Sequence, residues 1–322
     1  MAMMQHAAVA YEPGLVRLGE HTYTYLQPDG GFGLSNAGVI AGGDGAALID
    51  TFFDLPSTRR LLDAVHTEIK QPLRTVVNTH SNGDHCWGNQ LVADAEIVAH
   101  RICAEEMGHI PPALMQAARA GQIEGKVGAY LKERTRPFDF RGIELTLPTA
   151  TFEDDLTLDV GGTEAHLVYV GPAHTGGDVI IHVPSDGVVF AGDIVFNNCH
   201  PLAWDGTIDS WIAALRQIEA LDPAILVPGH GPVSGPEGAT QMREYLEFVK
   251  SHGAEQYERG VSLRDAAAVL DLGPYASWGE PERVVHNLAR AYKEGGADLD
   301  HRRDMMEVFS IMAELAAGTD GS

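Results

Sequence analysis

The chain has 322 residues, 44% hydrophobic and 21% charged, a globular profile long enough for one large domain or a core with an appendage. Asp and Glu number 45 against 22 Lys and Arg, a formal charge of -23. So acidic a surface repels phosphate backbones and anionic lipid, which argues against nucleic acid and membrane as partners. Cys86, Cys103 and Cys199 are too few and too scattered for a disulfide framework. The opening MAMMQHAAVAYEPG lacks the basic and apolar regions of a signal peptide, and no run approaches 18 apolar residues. A reduced cytoplasm is the expected compartment, and a homo-oligomer stays open.

From about residue 15 to 50, short β-prone runs alternate with Gly: Thr22–Leu26, Ala37–Ile40 and Ala46–Asp50. Residues 57–69 place Leu61, Leu62, Val65 and Ile69 on one helical face. Leu73–Thr79 reads as a buried strand stopping at His80; a helix is expected near Trp87, then a short strand ending at His100. Residues 101–148 differ: helical runs separated by Pro111-Pro112 lie between two strand-rich halves, as an inserted wall or lid over a site would. Strands return at Leu156–Val160, Ala165–Val170, Val179–Val183 and Val188–Phe190. A helix over about 208–220 precedes the strand Ala224–Val227, and residues 236–316 are helical in pattern.

Chemistry concentrates at strand ends. His80-Ser81-Asn82-Gly83-Asp84-His85 puts two imidazoles and a carboxylate on one short loop after a buried strand. Three more such groups each follow a strand: His174 after Gly171-Pro172-Ala173, Asp193 after Gly192, and His230 within Pro228-Gly229-His230-Gly231. Neighbouring Gly residues allow the sharp turns that bring them to one centre. Zn(II) accepts this mixture of imidazole and carboxylate. One such residue says little; four elements in this order point to metal.

The order HxxxDH, then His near Gly, then GD, then GH resembles the metallo-β-lactamase superfamily over roughly residues 15–235. That resemblance implies a four-layer αββα sandwich of two mixed sheets, here with an inserted helical lid at 101–148 and a C-terminal helical extension at 236–316. It also implies two metal positions, one using His80, residue 82 and His174, the other Asp84, His85 and His230, with Asp193 bridging. The family motif is HxHxDH, and Asn82 stands where its second His is expected. An amide is a weaker zinc ligand than imidazole, so the first position is expected to be looser, with one or two zinc ions per chain.

The expected chemistry is hydrolysis of an activated carbonyl (thioester, lactone or related ester). Zinc would polarise the substrate and supply hydroxide, with Asp84 and Asp193 holding metal and water in register. The substrate is a small molecule or acyl thioester. Two alternatives stand beside this. HSNGDHCWGN and Glu282–Tyr292 are similar to a branch with aromatic-polyketide cyclases, which close rings by aldol chemistry with or without thioester release. The other alternative is a non-catalytic metal- and ligand-binding member. His200, after the GD loop, is a candidate substrate contact or proton donor, and Asp178 a candidate orienter of a ligand imidazole. Trp87, His109, Trp204 and Trp211 are candidate pocket residues, Cys86 a structural one, and the remaining histidines lack a ligand-like context.

Overall fold

The computed structural model describes residues 9–299 and 304–319; His6 and His301 lie outside the described residues. The first sheet runs β1 (Gly14–Arg17), β2 (Thr22–Leu26), β3 (Ala37–Ala41), β4 (Ala46–Ile49), β5 (Leu73–Asn78), β6 (Glu96–His100) and β7 (Ala150–Phe152), in that spatial order. Its first four strands are antiparallel, and β4 to β7 are parallel. The second sheet has the order β12-β11-β10-β9-β8, built from β8 (Leu156–Val160), β9 (Thr163–Tyr169), β10 (Val179–Val183), β11 (Val188–Phe190) and β12 (Ile225–Val227). Only its β11–β12 pair is parallel.

Apolar residues on both faces of these strands place them inside four layers. Ala47, Ile49, Val77 and Val98 of the first sheet meet Leu167, Ile181, Val188 and Phe190 of the second. Their chain neighbours Leu48, Val76 and Ile97 point the other way, onto Leu61, Leu62 and Val65 of α1 (Leu55–Glu68). A one-residue slip would turn each set to the wrong layer, at ~1.5–3 kcal/mol per aliphatic side chain, so the register is fixed. Helix α1 starts where the Asp54 carboxylate accepts from Ser57 N.

The αββα arrangement is thus present. The chain near Trp87 departs from the expected helix: one turn, α2 (Gly83–Cys86), is followed by a 3-10 turn over Asn89–Val92. Its shortness delivers Asp84 and His85 directly after β5. Between β6 and β7 lie α3 (Arg101–Glu106), α4 (Pro112–Arg119) and α5 (Gly125–Thr135). The helical run after Pro111-Pro112 is divided at Gly121, whose φ of 71° suits glycine and ends α4. The strand β7 was not anticipated, because Ala150–Phe152 is too short to show a period.

The outer layer on the second sheet contains α6 (Ile208–Leu221), α7 (Glu237–Glu258), α8 (Leu263–Val269), α9 (Val284–Glu294) and α10 (Met305–Thr319). Val127 and Leu131 of α5 share one hydrophobic cluster with Leu215 of α6, Leu246 of α7, Leu288 of α9 and Met312 of α10. The insertion and the C-terminal helices therefore close over the same end of the sandwich. No helix among the described residues is long and apolar enough to cross a membrane, and all three cysteines are free and buried.

Candidate metal centre

The structure brings His80, Asn82, Asp84, His85, His174, Asp193 and His230 together at the ends of the strands. Asp193 is central. Its Oδ1 lies 3.1 Å from His85 Nε2, and its Oδ2 lies 3.3 Å from His174 Nε2 and 3.6 Å from Nε2 of both His80 and His230. His230 Nε2 is also 3.3 Å from Asp84 Oδ2. The Asn82 amide turns across to His174, 2.9 Å from Nε2, rather than back into its own loop. Gly229 makes this packing feasible: a Cβ there would stand 1.9 Å from Asp193 Oδ1.

A carboxylate that sequence reasoning missed orients two of the imidazoles. Asp50, buried at the end of β4, accepts from His85 Nδ1 at 2.8 Å and from Thr79 N and Oγ1, both at 2.7 Å. Thr79 Oγ1 is in turn 3.0 Å from His80 Nδ1. Both rings are thereby held with Nε2 facing Asp193, the outer-shell arrangement that fixes a metal-ligating tautomer. The only sequence signal was an acid closing a strand. Ser35 and Asn36 were also missed: Ser35 Oγ donates to the Asp84 carbonyl at 2.6 Å, and Asn36 Nδ2 donates to the carbonyls of Pro228 and Gly231. They tie together loops far apart in sequence.

Asp178 acts on backbone. Its carboxylate accepts from Ala173 N, Thr175 N and Thr175 Oγ1, so it shapes the loop carrying His174 rather than touching the ring. The ring itself packs on Trp211 and Phe196, with centroids 5.5 and 5.7 Å away.

The electrostatics favour a cation. Burial alone would push the His85 imidazole down, but Asp193 and Asp50 outweigh it and hold it well above the usual range. Burial would push Asp84 up; the His230 hydrogen bond and the His85 and His230 charges bring it to about 2 instead. His80 and His174 are lowered, chiefly by burial, so both rings are neutral and available as ligands. Among the described residues, Nε2 of His80 and His85 and Oδ1 of Asp193 are buried without a hydrogen-bond partner. Two overlapping groups, His80–His85–Asp193 and Asp84–His85–His230, each keep their ligand atoms within 4.8 Å of one another. The residues present fit a metal ion, with a donor set suited to zinc.

A cavity of about 440 Å³ opens above this centre, reaching Asn82, Asp84, His174, Asp193 and His230. The insertion supplies Met107, His109, Ile110, Leu114, Met115, Ile123, Val127 and Leu131 to its wall, and α10 supplies Met305, Met306 and Phe309. Ala118, in contrast, is buried in the helical cluster. Trp87 and Trp204 also line the cavity; Trp211 does not, donating instead from Nε1 to the Ile194 carbonyl beneath His174. Among the described residues, none of His21, His66, His100, His166, His182, His252 and His286 lines it.

His200 is corrected. It does not line the cavity; it is fully buried, with Nδ1 3.0 Å from Tyr245 Oη and Nε2 3.1 Å from the Tyr275 carbonyl. Proximity to the Asp193 loop in sequence did not set the direction of its side chain. Cys86 is structural, buried with its thiol 3.5 Å from the Ser81 carbonyl and pushed well up by burial.

Burial lowers His200 to about 4 from an ordinary value of 6.5. Between those values the unfolded chain binds a proton that the folded one does not, so stability is lost as pH falls through that window. His200→Asn is expected to flatten the loss between pH 7 and 5 by about 2 kcal/mol, read from urea unfolding at both values. Parallel slopes for the two proteins would refute this role.

Residues 30–230 match the family model of the metallo-beta-lactamase superfamily. The alpha subunit of 2,4-dinitroanisole O-demethylase from Nocardioides sp. (strain JS1661) is 26% identical, over 60% of this chain and 51% of its own. The linear primary-alkylsulfatase of Pseudomonas sp. (strain ATCC 19151) is 22% identical, over 79% of this chain and 54% of its own. The chain thus spans about half the length of these two curated relatives. The metallo-beta-lactamase from Pontibacter korlensis superposes with a TM-score of 0.55 at 20% identity, covering 72% of this chain and 98% of that one, a likeness of fold.

Proposed function

The chain belongs to the metallo-beta-lactamase superfamily, and from that premise we propose that it is a zinc-dependent hydrolase of an activated carbonyl, a thioester, lactone or related ester. The observation that carries this reading is the convergence of four imidazoles and two carboxylates at the base of an apolar cavity. His80, Asn82 and His174 would hold one ion, and Asp84, His85 and His230 a second, with Asp193 between them. Bound zinc supplies a Lewis acid and lowers the pKa of coordinated water to about 7.

The chain's own residues do the rest. Asp50 and Thr79 fix the His80 and His85 tautomers, so no reorganisation is needed during reaction. Asp84, held at about 2, is ionised at neutral pH and acts only as an acceptor; it lines the cavity and so can orient a proton of the attacking water. Hydrolysis adds the water oxygen to the acyl carbon, breaks the bond to sulfur or oxygen, and passes one proton to the departing thiol or alcohol. Met107, Ile110, Met115 and Leu131 give the acyl body a water-poor wall.

Protein purified without chelator is expected to carry one to two zinc ions and to hydrolyse members of a thioester and lactone panel. Chelation should abolish turnover and added zinc restore it. Less than about half an equivalent of any transition metal per chain would overturn the reading.

A further inference from the structure

Arg283 closes the 3-10 turn Pro281–Arg283, lines the cavity and is 3% exposed. It is the one Lys or Arg among the described residues that line it. A guanidinium carries five N–H donors. Here Nη1 donates to the His200 carbonyl at 3.1 Å, while Nε is buried without a hydrogen-bond partner. The nearest carboxylate, Glu280, stands 3.6 Å from Nε and turns its other oxygen to Arg134 at 3.1 Å. Glu280 thus offsets the charge of Arg283 without filling its donors. Trp204 repeats the pattern, lining the cavity with a buried Nε1 that has no partner.

Unfilled donors on a buried cation are costly, and the wall opposite them is aliphatic and aromatic. Of the cavity's other carboxylates, Asp84 and Asp193 belong to the metal cluster, Glu106 is tied to Ser81 and to Gly176 N, and none of these, nor Asp205, forms an ion pair with Arg283. The donor that the protein leaves open on Arg283 would be met by an occupant of the cavity that brings an acceptor. We propose that Arg283 docks an anionic oxygen group of the substrate, so that this site selects amphiphiles with an apolar body and a carboxylate- or sulfonate-like head over neutral apolar esters. The inference rests on the cavity being the substrate site of the hydrolase proposed above.

The test is binding of decanesulfonate and of uncharged decanol to the zinc-loaded full chain, followed by tryptophan fluorescence. Decanesulfonate is expected to bind ~10-fold or more tightly than decanol, in the range of a charge-assisted hydrogen bond. In Arg283→Gln that ratio should fall to about one, with Arg283→Lys between the two. If Arg283→Gln fails to fold because buried Glu280 keeps only Arg134 as a counter-charge, the double variant with Glu280→Gln removes both charges and reads the same ratio. Equal binding of the probes to the wild type, or a ratio that survives loss of Arg283, overturns the proposal. Thioester hydrolysis without a sulfonate preference would reject this inference and leave the hydrolase standing. An Arg283-dependent preference without hydrolysis would do the reverse.

Discussion

Asp84→Ala is expected to abolish nearly all hydrolysis, a loss of at least ~100-fold, since even outer-shell changes at metal sites cost 10–100-fold. The substitution removes one oxygen donor of the Asp84–His85–His230 group and, in the proposed mechanism, the acceptor that orients water. It also leaves His230 Nε2 without its 3.3 Å partner. The fold should survive, because the loop is held by backbone contacts that do not involve the carboxylate, including the Ser35 hydroxyl on the Asp84 carbonyl. Zinc content, far-UV circular dichroism and steady-state rates separate the outcomes. A folded variant with substantial turnover would place the chemistry elsewhere.

Asp50→Asn is expected to weaken zinc binding by about 10–100-fold while leaving the ligands themselves intact. Asn fits the same space and tolerates the left-handed backbone at this position, where φ is 62°. What it loses is the negative charge that fixes the His85 tautomer, together with one acceptor oxygen for Thr79 or His85. A chelator titration reads the zinc affinity directly. Because Asp50 acts through His85 and Thr79, its activity defect should shrink when zinc is supplied in excess. A variant with unchanged zinc affinity would reduce Asp50 to a packing residue.

The residues that converge on the centre were legible because their information is local. His80, Asp84 and His85 share one loop, and His174, Asp193 and His230 each follow a strand with Gly alongside. The alternating and continuous apolar runs likewise marked the sheets, since a strand buried on both faces carries its layer assignment in its own side chains. The insertion announced itself by a change of period from strand to helix between residues 101 and 148.

Only the tertiary structure decided the partners of those residues. Asp50 reaches His85 across 35 positions, and Asn36 reaches Gly231 across 195, contacts that no local pattern encodes. His200, a candidate substrate contact because it follows the Asp193 loop in sequence, instead turns its ring into a core of Tyr245 and Trp278, where burial lowers its pKa and keeps it from the cavity. Arg283 stood in an ordinary helical stretch. It became notable only when α5 and α10 closed a cavity against it, leaving donors that nothing apolar can fill. Sequence determines which groups stand at strand ends. Packing decides which of them face the cavity and which are spent holding it together, because hydrogen bonds and burial depend on neighbours brought from afar.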